Sequence, residues 1–168
     1  MVILKTYKDL KPVLMNPKSK GLKEPYFIIK GDHQIVFILA PGLNGEEFNK
    51  TIGYFSSYPT VQNFQVALGQ GIMLMQRNDE LGEAKEFKFV NLHAGRQVAV
   101  PSGWGVCLIN TSKSFLIVQR SDLISDKYKT MEPIVQKQGF AYYVIEKKGD
   151  ISFERNPHYH NHPQITTE

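Results

Sequence analysis

The chain is poor in cysteine: of 168 residues, only residue 107 is one. A lone thiol excludes an internal disulfide and any multi-cysteine zinc knuckle, and it fits a reducing compartment. Cys107 lies in the apolar run 104–109, where it reads as a small core residue and not as a nucleophile. Long apolar runs are missing as well. Nothing approaches the ~18 consecutive apolar residues of a membrane span, and Lys5 and Lys8 follow Met1 with no apolar signal region between. The expectation is a soluble, cytoplasmic protein with no membrane partner. Charge of one sign is also scarce. The 20 Lys and Arg exceed the 16 Asp and Glu only slightly and are spread from Lys5 to Arg155, which argues against a nucleic-acid partner. Without linkers or internal repeats, this length reads as one domain.

What is present is strand-forming sequence. Segments 26–29, 34–39, 63–68, 71–75, 86–90, 97–100, 104–109 and 115–118 are short and rich in β-branched or aromatic residues. Turn formers part them, among them Gly31-Asp32, Pro41-Gly42, Asn78-Asp79 and Ala94-Gly95. Spacing of ~8–12 residues predicts a sandwich or barrel. One short helix is expected near the C-terminus, capped by Thr130, starting at Met131 and stopped by Gly139. Segments 142–146 and 151–154 then form a hairpin around Gly149. The fold class is all-β with that one helix. Expected boundaries are 1–33 for an N-terminal extension and first strands, 34–157 for the barrel, and 158–168 for a histidine-rich tail.

Gly95, Pro101, Gly103 and Asn110 stand at the spacing G-x5-P-x-G-x2-H-x3-N, with Val106 in the histidine position. This set resembles the second motif of the cupins and implies a jelly-roll barrel closed on itself. Further anchors are Thr51, Gly53 and Phe55, then Val66-Ala67-Leu68, Gly139-Phe140, Val144-Ile145-Glu146 and Asn156-Pro157. With them the stretch 34–157 resembles the metal-dependent cupin glucose-6-phosphate isomerases of archaea. That resemblance implies sugar-phosphate chemistry, a divalent metal such as iron or manganese, and a homodimer.

The same resemblance places the family's metal ligands, two histidines, a glutamate and a third histidine, at Tyr54, Ser56, Asn63 and Val106. Tyr, Ser and Asn are poor neutral donors and Val has none, so no metal or other cofactor is expected at this site. Thr51 and Gly53 match the segment beside the sugar phosphate. Tyr54, Ser56, Asn63 and Gln65 are expected on or beside the barrel lining, either binding a ligand or satisfying one another. The expected function is binding of a sugar, sugar phosphate or similar small polar metabolite without metal chemistry. One alternative is an active sugar-phosphate isomerase or epimerase whose metal is absent or relocated. A second is a structural interaction module with an infilled barrel.

Three further features carry their own alternatives. Glu47 is the remaining candidate base, although its plain reading is a solvated turn carboxylate. His33 and His93 read as exposed turn residues. His158, His160 and His162 would share one face of an extended segment and form an alternative metal site, against the plain reading of a floppy tail.

Overall fold

The computed structural model describes residues 1–121 and 126–168. In chain order the N-terminal part contains β1 (Val2–Lys5), α1 (Tyr7–Leu10), β2 (Tyr26–Lys30), β3 (Ile35–Leu39), β4 (Leu43–Asn44) and β5 (Glu47–Phe48). The middle contains β6 (Tyr54–Ser56), β7 (Gln62–Leu68), β8 (Gln70–Asn78), β9 (Ala84–His93), β10 (Gln97–Val100), β11 (Gly105–Asn110) and β12 (Leu116–Arg120). The C-terminal part adds β13 (Lys129–Thr130), α2 (Glu132–Gln136), β14 (Tyr142–Lys147), β15 (Asp150–Arg155) and β16 (Ile165–Thr167). No described helix is long and apolar enough to cross a membrane.

Two six-stranded sheets face each other, ordered β1-β2-β3-β12-β7-β10 and β13-β6-β11-β8-β9-β16. Their apolar alternation sets which side faces in. In β3, β7 and β12 every second residue is buried, so Ile35, Phe37, Phe64, Val66, Leu116 and Val118 fill the space between the sheets. β11 is different, being buried along its whole length. Val106 and Leu108 face the opposing sheet, while Cys107 and Ile109 face backward, toward the small sheet β15-β14-β5-β4 and its flanking Phe140. That sheet packs through Tyr142 on Phe87 and Phe153 on Phe89, with ring centroids 4.8 and 5.1 Å apart. Strands covered on both faces lose the polar half of the pattern, which explains the continuous apolar run at 104–109.

The expected jelly roll is therefore present, but among the described residues its two sheets are hydrogen-bonded separately and do not close into one barrel. Short strands mark the corners: β6 has three residues and β13 two. Asn110, the last residue of the spaced motif, ties the layers together from full burial. Its Nδ2 donates to Leu39 O at 3.1 Å and Ser114 O at 2.8 Å, while its Oδ1 accepts from Ser112 N at 3.0 Å.

Two local expectations are corrected. The helix α2 is capped by Met131 without a side-chain bond, because Thr130 is held in the β13 pairing with Phe55. A second one-turn helix, α1, precedes it, with a capping box in which Asp9 Oδ2 accepts from Thr6 N at 2.8 Å and Thr6 Oγ1 accepts from Asp9 N at 3.4 Å.

The segment 158–168 is tied to the rest of the fold at several points. Tyr159 is buried and its hydroxyl donates to Gly139 O at 2.8 Å, while β16 extends the second sheet in parallel with β9. Glu83 clasps the turn before it: Oε1 accepts from His160 N at 2.6 Å and Asn161 N at 2.8 Å, and Oε2 lies 2.7 Å from Lys137 Nζ. These donors, Lys137 foremost, hold the Glu83 carboxyl down to about 2. A lowered folded pKa gives stabilisation that is complete above the unfolded value near 4.5 and is lost as the pH falls through about 2. Acidification across that window is expected to release this segment, and Glu83→Ala is expected to release it already at neutral pH. Amide exchange at Ile165–Thr167 reads both, and unchanged protection in the variant would contradict the clasp.

Candidate functional site

A cavity of about 310 Å³ opens between the two large sheets, at the end formed by β1, β2 and β6. The first sheet supplies Ile3 and Lys5 from β1, Tyr26, Ile28 and Lys30 from β2, Ile35 and Phe37 from β3, and Phe64 from β7. The second side supplies Thr51, Gly53, Tyr54, Val106, Leu108, Lys129 and Met131. The walls are mainly apolar, three lysines reach the cavity, and none of its described lining residues is a carboxylate or a histidine.

The sequence-expected residues divide sharply. Thr51, Gly53, Tyr54 and Val106 do line the cavity, and Val106 pairs directly with Tyr54 across β11 and β6. Ser56 is buried but stays outside the lining, its hydroxyl accepting from Tyr58 N at 3.2 Å. Asn63 and Gln65 are exposed on the opposite face of β7. The inward positions there are Gln62 and Phe64. A shift of one residue in a strand exchanges its two faces, and the in-phase apolar pair Phe64 and Val66 was the signal for the correct one.

Around Tyr54 the structure assembles a polar cluster. The Tyr54 hydroxyl donates to Gln62 Oε1 at 2.7 Å and accepts from Arg120 Nη1 at 2.7 Å. Arg120 is fully buried and its guanidinium lies 5.8 Å from the Tyr54 ring centroid, with Lys129 Nζ at 5.6 Å. Neither Arg120 nor the lysines stood out in the sequence. The readable hint was the phase of β12, where Leu116, Val118 and Arg120 occupy successive inward positions.

Thr51 is likewise committed, its hydroxyl accepting from Leu108 N at 3.0 Å. The Tyr26 hydroxyl accepts from Ile52 N at 3.3 Å, and burial raises its pKa well above the ordinary tyrosine range. Behind β11, burial also pushes the Cys107 thiol up to about 11, which keeps it protonated and unreactive.

Glu47 is not a solvated turn carboxylate, and it does not reach the cavity. It is buried behind β11, with Oε2 2.6 Å from Lys50 Nζ and Oε1 accepting from Met15 N at 2.9 Å. Lys50 in turn donates to Val13 O at 2.6 Å and lies 5.1 Å from the Tyr143 ring centroid. The N-terminal segment folds over the turn and seals it, a long-range contact with no local sequence signal.

The three late histidines do not converge either. Asn156 bends the segment into a turn, its Oδ1 accepting from His158 N at 3.0 Å and its backbone O from Tyr159 N at 3.2 Å. His158 Nε2 lies 2.9 Å from Gln138 Oε1, and His162 Nε2 lies 2.7 Å from Asn156 O. Among the described residues no group of three or more His, Cys, Asp or Glu is placed to hold a metal.

Residues 5–162 match the glucose-6-phosphate isomerase (GPI) family. The chain belongs to that family, in its cupin form. No curated protein matches the sequence. Among solved structures, this GPI-family cupin is similar to the cupin domain of Drosophila melanogaster CENP-C, at 10% identity and TM-score 0.43 over 56% of this chain and 62% of that one. CapF, a capsular polysaccharide assembling protein of Staphylococcus aureus, gives 12% identity and 0.46 over 63% and 31%. Oxalate decarboxylase of Lactobacillus farciminis gives 16% and 0.41 over 56% and 27%. The chain thus spans 62% or less of the length of each of these proteins.

The divalent metal implied by the family does not fit the residues at its expected site. Val106 has no donor, Asn63 points away and Ser56 stays outside the lining, which leaves one tyrosine hydroxyl already shared by Gln62 and Arg120. A cation bound there would face the Arg120 guanidinium across the same oxygen. Like unit charges ~4 Å apart repel by roughly 4 kcal/mol in a partly buried site.

Proposed function

We propose that this GPI-family cupin binds a small anionic metabolite in the cavity between its sheets, without a metal and without isomerising it. The observation that supports this reading is the joint presence of Lys5, Lys30 and Lys129 around an open cavity beside a buried Arg120–Tyr54 pair. Isomerisation of a sugar phosphate requires a base that moves a proton between adjacent carbons and a group that polarises the carbonyl. The described lining residues provide no imidazole or carboxylate for the first role. The open cavity also argues against an infilled barrel.

The test is calorimetric titration of metal-stripped protein in chelator with anionic probes and their neutral counterparts, paired with a coupled isomerase assay with and without manganese or iron. Anion binding in chelator and absence of turnover are expected. Turnover of glucose 6-phosphate restored by metal would overturn the reading, as would equal affinity for neutral probes.

Pairing of two copies, implied by the family resemblance, is part of the same proposal. The outer face of the first sheet exposes Val2, Leu4 and Ile29, with Val2 and Ile29 directly paired, and Leu68 further along. Sedimentation is expected to give a dimer that Ile29→Asp splits; a parent protein that sediments as a monomer at micromolar concentration contradicts it.

A further inference from the structure

We infer that the ligand of this cavity is an amphipathic anion, one carboxylate or phosphate group on a short alkyl or aryl body, and not a polyhydroxylated sugar phosphate. This inference rests on the anion-binding reading and narrows it by the chemistry of the walls. The side chains of Ile3, Ile28, Ile35, Phe37, Phe64 and Leu108, six of the lining residues, are pure hydrocarbon. The hydroxyls that line it already hold protein partners: the Thr51 and Tyr26 oxygens accept from Leu108 N and Ile52 N, and the Tyr54 hydroxyl donates to Gln62 and accepts from Arg120. A hexose phosphate would bring several hydroxyls against these walls, and each one buried without a partner lowers affinity roughly tenfold. A methylene buried in the same place raises affinity about fourfold.

The size agrees. An open cavity of about 310 Å³ falls at the lower end of the ~300–1,000 Å³ range of small-ligand pockets, so it suits a compact ligand. The charge agrees as well, because Lys5, Lys30 and Lys129 belong to three different strands yet meet at this one cavity. Lys30 and Lys129 have further contacts of their own, so the charge is best tested at Lys5 on the edge strand β1.

The experiment is titration of metal-stripped protein with butyrate, hexanoate, octanoate, hexyl phosphate, 1-octanol and glucose 6-phosphate. Affinity is expected to rise about fourfold per methylene from butyrate to octanoate and then level off as the cavity fills. Octanol and glucose 6-phosphate are each expected to bind at least tenfold more weakly than octanoate, and the ratio of hexanoate to hexyl phosphate distinguishes carboxylate from phosphate as the preferred group. Lys5→Met is expected to weaken octanoate about tenfold while leaving the unliganded melting temperature unchanged. Glucose 6-phosphate binding tighter than octanoate would overturn this inference and leave the anion-binding function standing. Octanol matching octanoate, or no anion binding at all, would overturn both.

Discussion

Glu47→Ala is expected to lower the melting temperature by about 10 °C. The Glu47–Lys50 pair is almost wholly enclosed, with side chains 2% and 6% exposed, and removing one member leaves a buried charge without its counterion. Breaking such a pair costs about 3–5 kcal/mol, and in a chain of this size 1 kcal/mol shifts the melting point by ~2–4 °C. The loss reflects the stranded lysine more than the net worth of the pair. Replacing both members with apolar residues, Glu47→Leu with Lys50→Met, is accordingly expected to recover most of the stability. Because Glu47 lies behind β11 while the cavity lies in front, the surviving folded fraction of Glu47→Ala is expected to bind anions within about twofold of the parent. A Glu47→Ala protein that melts normally but loses its ligand would restore the carboxylate to a catalytic or binding role. Thermal melts and one titration decide between the two.

Gly53→Ala is expected to be the second severe substitution, lowering the melting temperature by about 5–10 °C. Gly53 has φ +85°, in the left-handed region where an L side chain costs ~1–2 kcal/mol. An added Cβ would also lie 2.8 Å from Val106 O, a backbone atom of a strand buried on both faces and unable to yield. Gly103 provides the control. Its φ is +87°, yet a Cβ there meets nothing within 4 Å, so Gly103→Ala carries only the conformational cost. Its expected drop is about half that of Gly53→Ala, and equal drops would mean that close approach of the chain to β11 is not what requires the glycine. The functional side of this constraint is Tyr54, the next residue, whose contact with Arg120 depends on β6 crossing β11 at that distance.

Much of the fold was legible because the sheets face one another across a core. β3, β7, β10 and β12 each carry a two-residue alternation, and the β14–β15 hairpin announces itself through its Gly149 turn. The spaced set from Gly95 to Asn110 was legible for a mechanical reason too, since Asn110 crosslinks the two sheets through backbone carbonyls. The resemblance singled out Tyr54 and Val106, which the structure places side by side at the cavity. It misplaced Asn63 and Gln65 because matching residues across a loop does not fix which face of the next strand each one takes.

The remaining features depend on contacts distant in sequence. Nothing near Glu47 says that residues 13–15 will cover it, and nothing near Lys5, Lys30 or Lys129 says that three strands will bring them to one cavity. Arg120 was the missed opportunity: a charged residue in phase with Leu116 and Val118 marks either an interior ion or a ligand. Similarly, the turn formed by Asn156 removed the alternation on which the three-histidine metal site depended.

The reading at stake is that the cavity holds an amphipathic anion and no metal beside Tyr54. A crystal soaked in octanoate and manganese, measured at an X-ray energy where manganese scatters anomalously, tests it most directly. The expected map shows continuous density along Ile28, Phe37 and Phe64, with the carboxylate directed to the lysines and no anomalous peak beside Tyr54. An anomalous peak within coordination distance of the Tyr54 hydroxyl, with octanoate absent, would contradict it.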